Sequence, residues 1–318
     1  MLSGTHNTTA VSILCDSPYV QGVRDFANYL LYFTLVFSVI GIFSNILSYF
    51  TIRSMNVYNS SFVYIQALAI WDSLSLLIDG PFNVGHLLTK YSFPGTFITK
   101  FIIVNDWLTT AVAHWIVAAI STDRFIAVFF PIIYRSRIAK GKTANAVVWS
   151  LTVIIYFTMG PALYVTRDKC NLYICQVRPE WENTGASEIL LAYHGFAPIV
   201  IVAVNNGLIA AKLYFKKNKS MSSNTGNTRS SGMEFLLFLV AISFMILIGL
   251  ANVFWYVHYR MENTIEANCS ILYEISEAFS SFPRVLNNGI NFYLYILCGR
   301  VFRESFLILF GIRKKQKN

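Results

Sequence analysis

The chain has 318 residues, of which 55% are hydrophobic and only 13% charged, a balance that excludes an ordinary water-soluble domain and suits lipid. The net charge of +9 does not read as a nucleic-acid footprint, because the 25 Lys and Arg gather beside alternate ends of the apolar stretches. Five cysteines, Cys15, Cys170, Cys175, Cys269 and Cys298, show no zinc spacing and no Cys-x-x-Cys, so neither a structural metal nor a cofactor is indicated.

Residues 1–25 are polar and lack the basic start, apolar run and small-residue cleavage site of a removable signal, which leaves the first apolar helix as the membrane signal. Crossing about 30 Å of hydrocarbon takes roughly 20 apolar residues in a helix. Seven windows meet that need, at 26–52, 60–85, 97–129, 142–165, 186–217, 231–259 and 270–298. The predicted fold is therefore an all-α membrane protein, a seven-transmembrane helix bundle over 26–299. Between the fifth and sixth windows, Lys216 to Gly232 has the Lys, Ser, Asn and Gly content of a flexible linker. After Gly299, Arg300 to Gly311 alternates basic and apolar residues at helical spacing, which predicts a short amphipathic eighth helix along the inner leaflet within a cytoplasmic segment 300–318. No internal repeat and no second domain is visible.

Seventeen of the 25 basic residues flank one side of these windows, where the balance is +14, against −3 on the other side. Basic loops face the cytoplasm, and an odd number of spans then puts the N-terminus outside the cell and the chain in the plasma membrane. The sequons at Asn7 and Asn268 fall on the outer side and are the expected glycosylation sites; those at Asn59 and Asn218 fall inside.

Ionisable groups within a bilayer are costly and mark functional paths or internal pairs. Asp106 and Arg124 are 18 residues apart, about five turns, so they share one face of the third helix at opposite ends. In the seventh helix Arg284, Asn287, Asn288, Asn291 and Tyr295 recur at three- and four-residue steps as one inward stripe. Asp72 and Asp79 share a face of the second helix, and Asn45 sits at comparable depth in the first. The plainer reading is that such amides only join helices by hydrogen bonds.

These residues resemble, in order and spacing, the rhodopsin-like (class A) G-protein-coupled receptors. The resemblance runs from Gly41 to Phe306: Gly41-Ile-Phe-Ser-Asn45, Leu68-Ala-Ile-Trp-Asp72, Asp123-Arg124-Phe125 with Pro131 and Tyr134 after it, Trp149, Pro198, Asn291-Phe-Tyr-Leu-Tyr295, and Phe302-Arg303. The run from Asn287 to Tyr295 and Gly299 to Arg303 is most similar to invertebrate neuropeptide receptors of the FMRFamide-receptor type. The departures are specific. Thr99 replaces the family's usual Cys, so the family's disulfide cannot form; the expected pairs are instead Cys170 with Cys175 and Cys15 with Cys269, the alternative being that some of these thiols are free. Leu247-Ile248-Gly249-Leu250 replaces Cys-Trp-x-Pro while Phe244 remains, Asn206 replaces a Tyr, and Phe292 a Pro.

The resemblance implies a receptor and not an enzyme, with a heterotrimeric G protein inside, an extracellular ligand and the lipid bilayer as its partners, and no nucleic acid. It assigns activation and coupling to Asp123, Arg124, Phe125, Phe244, Asn291 and Tyr295, and a polar core to Asn45, Asp72 and Asn288. That core is the family's sodium site, but Ala113 stands where a Ser often completes it. For the ligand end the expected residues are Asp106, Glu277, Arg284, Asp79 and His194. An acidic outer face favours a basic peptide, such as one ending in Arg-Phe-amide. Asp106 also suits an amine, and a second alternative is a chemosensory small molecule. Arg284 offers a third outcome, pairing internally with Asp106 or Asp79. His114 and His194 have no second metal ligand at helical spacing and read as packing groups. A transporter or channel, the alternative of another class, would more often show inverted repeats.

Overall fold

The computed structural model describes residues 18–55, 58–88, 96–170, 175–177, 185–219, 228–262 and 271–312. Its long helices are α1 (Pro18–Ser54), α2 (Ser60–Leu88), α3 (Thr96–Phe129), α4 (Gly141–Thr166), α5 (Ala197–Lys219), α6 (Thr228–Glu262) and α7 (Ile271–Cys298), followed by a short α8 (Arg300–Leu309). Six of the spans are long and apolar enough to cross a membrane by composition alone. The seventh, α7, has 28 residues, about 42 Å of helix. Its polar stripe lowers its hydropathy, and the interior of the bundle receives that stripe.

The helices close a ring. α1 packs on α2 and α7, α2 on α3 and α4, α3 on α4 and α5, and α6 on α5 and α7, with α8 returning to α1 and α7. Side chains such as Ile116, Ile155, Leu68 and Val202 are fully buried on the inward faces, while Phe33, Phe43, Phe157 and Leu297 look outward, the arrangement of a bundle whose solvent is lipid. Trp149, one of the family marks, is also on the outside, 62% exposed. The tightest crossing is glycine on glycine. A Cβ on Gly41 would meet Leu76 Cδ1 at 2.6 Å and Gly289 Cα at 3.1 Å, so only hydrogen at both positions lets α1 and α7 approach this closely.

Three boundaries differ from the sequence reading. α1 begins at Pro18 and not at 26, because the helix continues beyond the apolar stretch through polar residues. At both ends of the 216–232 stretch the described residues are helical: α5 runs to Lys219 and α6 starts at Thr228, since a helix already formed in the membrane propagates outward at little cost. Between α4 and α5, β1 (Arg167–Cys170) pairs antiparallel with β2 (Cys175–Val177) and sets the backbones of Cys170 and Cys175 opposite each other.

α5 is entered through a helical turn, Ala186–Leu191, and a π turn, Ala192–Phe196. Proline explains the irregularity. Pro198 has no N–H to give to the carbonyl four residues back, that of His194, and its ring crowds that oxygen. The freed carbonyl is taken by α3, where His114 Nδ1 donates to it at 3.2 Å.

Candidate functional site

At the outer end of the bundle one base faces two acids from different helices. Arg284 Nη2 of α7 lies 2.7 Å from Asp79 Oδ1 of α2, and Nη1 lies 3.8 Å from Asp106 Oδ2 of α3. Among the described residues the cluster sets two carboxyl groups against one guanidinium, and Asp79 Oδ2 and Asp106 Oδ1 are buried there without a hydrogen-bond partner. Removing two carboxylates and a guanidinium from water costs several kcal/mol per ion, so their mutual attraction is needed to keep them charged there. The internal pairing anticipated for Arg284 is thus present, chiefly with Asp79. Beside it, Trp107 stands with its ring 5.0 Å from His194 and 5.0 Å from Trp255, and Trp255 stacks on Tyr259. His194 is buried against His114. The Glu277 and Thr99 side chains lie outside the described residues, as do those of Cys170 and Cys175; Asn7, Cys15, Asn268 and Cys269 lie wholly outside them.

Midway down the bundle an amide and hydroxyl network ties three helices to α7. Asn45 donates to the backbone oxygen of Asn288 at 2.8 Å, Asn288 donates to Ser75 Oγ at 3.1 Å, and Asn291 donates to Asp72 Oδ2 at 2.9 Å. Ser75 and Thr110 then join α2 to α3 at 3.0 Å. Each bond is worth on the order of 1 kcal/mol, and more where a charge is involved. Asn45, Asp72, Asn288 and Asn291 therefore occupy one connected site, as their spacing anticipates. Ser75, three residues beyond Asp72 on the same face, belongs to it as well.

At the inner mouth Arg124 is held on every side. Its guanidinium pairs with Asp123, donates from Nη2 to Ser61 Oγ at 2.7 Å, and donates from Nη2 to Tyr134 OH at 2.6 Å. Tyr134 donates to Asp123 Oδ2 at 3.1 Å and shares a 2.9 Å bond with Ser60. Burial, ahead of the opposing pull of Arg124, raises the Tyr134 pKa, which keeps the phenol protonated and able to donate. The turn that carries Tyr134 is itself anchored: Asn59 Oδ1 caps α2 by accepting from the Phe62 N–H at 3.1 Å, and the Ser60 N–H reaches the Ala139 carbonyl. Phe125 stacks on Phe129, Phe244 meets His114 edge to face at 5.3 Å, and Tyr295 is fully buried with its ring 5.4 Å from Phe302.

Between α3, α5 and α6 on the same inner half lies a cavity of about 610 Å³, lined mainly by apolar side chains such as Val117, Ile209, Leu213 and Leu237, with Arg124, Ser121 and Asn206 as polar groups. Asn206 donates to Ser121 Oγ at 2.8 Å and Asn205 to Thr122 Oγ1 at 3.0 Å, so α5 is tied to α3 by amides where the family more often has a Tyr. Asp106 and Arg124 do reach opposite ends of α3, one in the outer charge cluster and the other at this cavity. The sequence reading missed Ser61 and the Trp107–Trp255 pair, because a single polar or aromatic residue in an apolar window carries no periodic signal.

Comparison with known proteins agrees with this geometry. A probable G-protein coupled receptor of Caenorhabditis elegans is 23% identical over 94% of this chain and 79% of its own length. The FMRFamide receptor of Drosophila melanogaster is 21% identical over 89% of this chain, which spans about half of that relative, 54%. A second probable G-protein coupled receptor of C. elegans is 22% identical over 84% of this chain and 66% of its own length. The family model for seven-transmembrane receptors of the rhodopsin family matches residues 44–290. With a closed bundle, a buried polar core and an arginine held at the inner mouth already in place, the chain belongs to the rhodopsin family of G-protein-coupled receptors.

Proposed function

We propose that this receptor sits in the plasma membrane with its N-terminus outside, binds an extracellular neuropeptide carrying a cationic group, and passes the signal to a heterotrimeric G protein through Arg124. In that arrangement residues 1–25 form the extracellular segment, 26–299 the bundle and 300–318 the cytoplasmic segment. The observation that carries the ligand reading is the outer cluster, where the described residues set two carboxyl groups against one guanidinium and leave an oxygen over on each acid. A second cation, such as an arginine side chain of the ligand, relieves that imbalance. Asp106, Asp79 and Arg284 are the assigned contacts, with His194 beside them and Glu277 as a further candidate. The likeness to the Drosophila FMRFamide receptor supports a peptide. An amine is the second reading, favoured by Asp106 alone.

A ligand that binds the open packing better than the closed one shifts the population between them. Competition with Arg284 for the two carboxylates loosens α2 and α3 from α7, and the polar groups of Asn45, Asp72, Asn288 and Asn291 carry the change toward Tyr295. At the inner end Arg124 leaves Asp123 and Tyr134 and turns to the cavity between α3, α5 and α6, where an apolar helix of the G protein fits. Phe244 and Phe125 adjust with it. Cells bearing the receptor and a promiscuous G protein, challenged with an amidated neuropeptide library and with an amine and odorant panel, test the ligand class. Responses confined to amines or odorants would overturn it.

A further inference from the structure

The inner loop between α3 and α4 carries an exposed hydroxyl that touches neither Arg124 nor the cavity beside it. Ser136 stands in the π turn Tyr134–Ile138, and its Oγ donates to the Ile133 carbonyl at 3.1 Å. Two further bonds close the same turn: the Ala139 N–H reaches the Tyr134 carbonyl at 2.8 Å, and Thr143 Oγ1 at the head of α4 donates to the Arg137 carbonyl at 3.0 Å. Tyr134, two residues before Ser136, is the group that joins Arg124, Asp123 and Ser60 at the inner mouth. A π turn is an uncommon backbone form, closed by wide bonds, and the two side-chain bonds help fix where Tyr134 points.

The setting of Ser136 is cationic. Arg135 and Arg137 flank it, Lys140 and Lys142 follow, all four are exposed, and no Asp or Glu occurs between Arg124 and Arg167. A protein kinase whose cleft is lined by carboxylates reads such a segment by charge, and a phosphoryl group on Ser136 finds two guanidinium partners beside it. We propose that Ser136 is a phosphorylation site for a kinase that selects basic segments, and that the phosphate loosens the hold of Tyr134 on Arg124. In the transfer the Ser136 oxygen bonds to the γ-phosphorus of ATP, the bond from that phosphorus to the ADP oxygen breaks, and the hydroxyl proton passes to the kinase's catalytic carboxylate. The phosphoester oxygen has no proton to give, so the Ile133 carbonyl loses its donor, and about two negative charges draw Arg135 and Arg137 toward position 136. Both changes pull on the turn that aims Tyr134. Phosphate transfer stands without the reading of Arg124; only the effect on signalling rests on it.

The test uses the full chain in phosphatidylcholine nanodiscs, incubated with the catalytic domain of protein kinase C and Mg-ATP, with phosphate mapped by mass spectrometry of chymotryptic peptides. Expected is phosphate on Ser136, entering roughly tenfold more slowly when Arg135→Gln and Arg137→Gln are combined. Receptor with phosphoserine placed at 136 during translation should then catalyse ligand-free nucleotide exchange on a purified G protein about two- to tenfold faster than the unmodified chain. The kinase-treated receptor replaces it if the translated form does not fold. Adding Arg124→Ala should abolish the rise. An unmodified Ser136, with phosphate entering only elsewhere, would overturn the site and leave the four cations as a surface for lipid headgroups. Phosphate on Ser136 with exchange at or below the unmodified rate would refute the effect on Tyr134. A rise that persists in Arg124→Ala would keep the site and remove the Arg124 reading instead.

Discussion

Replacing Arg284 by Met isolates the largest electrostatic term in the outer half of the bundle. The substitution keeps the length and apolar stem of the side chain but deletes the guanidinium that stands 2.7 Å from Asp79 and 3.8 Å from Asp106. Asp79, with a side chain only 2% exposed, is then left as an uncompensated buried carboxylate. Breaking a buried pair in this way typically costs 3–5 kcal/mol. Because the Arg284 side chain is 21% exposed, the low end applies. About 3 kcal/mol, on the order of 100-fold in the folded-to-unfolded ratio, is expected. Thermal unfolding of the purified receptor, followed by size-exclusion fluorescence together with surface expression, reads the loss. The swap Asp79→Arg with Arg284→Asp should recover most of it, as a double-mutant cycle requires of a direct pair. If Arg284→Met unfolds within about 0.5 kcal/mol of wild type, or the swap recovers nothing, the three residues do not form the pin described here.

Three further outcomes follow from other parts of the bundle. Gly41→Val places methyl groups where Leu76 Cδ1 and Gly289 Cα already stand, and overpacking of about 1–3 kcal/mol should lower the thermal midpoint, whereas Gly207→Ala, with open space at its Cβ, should not. Asn291→Leu removes the amide that donates to Asp72 Oδ2 and leaves that carboxylate buried without it; a loss of about 2–3 kcal/mol in unfolding measurements is expected. Tyr134→Phe deletes the hydroxyl that bonds Arg124, Asp123 and Ser60, about 1–3 kcal/mol of restraint on the inner mouth, so basal signalling in cells should rise several-fold.

Much of the fold was legible because a bilayer imposes a simple demand. Long apolar windows mark the spans, and the stripe from Arg284 to Tyr295 stands out because Asn288, Asn291 and Tyr295 repeat at helical steps and then meet Asn45, Ser75 and Asp72 in space. The choice of Arg284 between Asp79 and Asp106 was not legible, since it depends on how far three helices lean toward each other, a quantity that no spacing within one helix contains. The π turn before α5 was hidden for a similar reason. Pro198 announces a missing hydrogen bond, but only the position of His114 across the bundle decides which group donates to the freed carbonyl. The ends of α1, α5 and α6 were misjudged because polar residues such as those of 216–219 extend a helix once the membrane has nucleated it.

The central claim is that Arg124, clamped by Asp123, Ser61 and Tyr134 at rest, is the group released to engage the G protein. Nucleotide exchange on purified G protein, catalysed by the receptor in nanodiscs without added ligand, tests it directly across Arg124→Ala, Tyr134→Phe and wild type at matched folded concentration. The account requires exchange to be faster than wild type with Tyr134→Phe and reduced to the receptor-free rate with Arg124→Ala. Exchange by Arg124→Ala at the wild-type rate would contradict it.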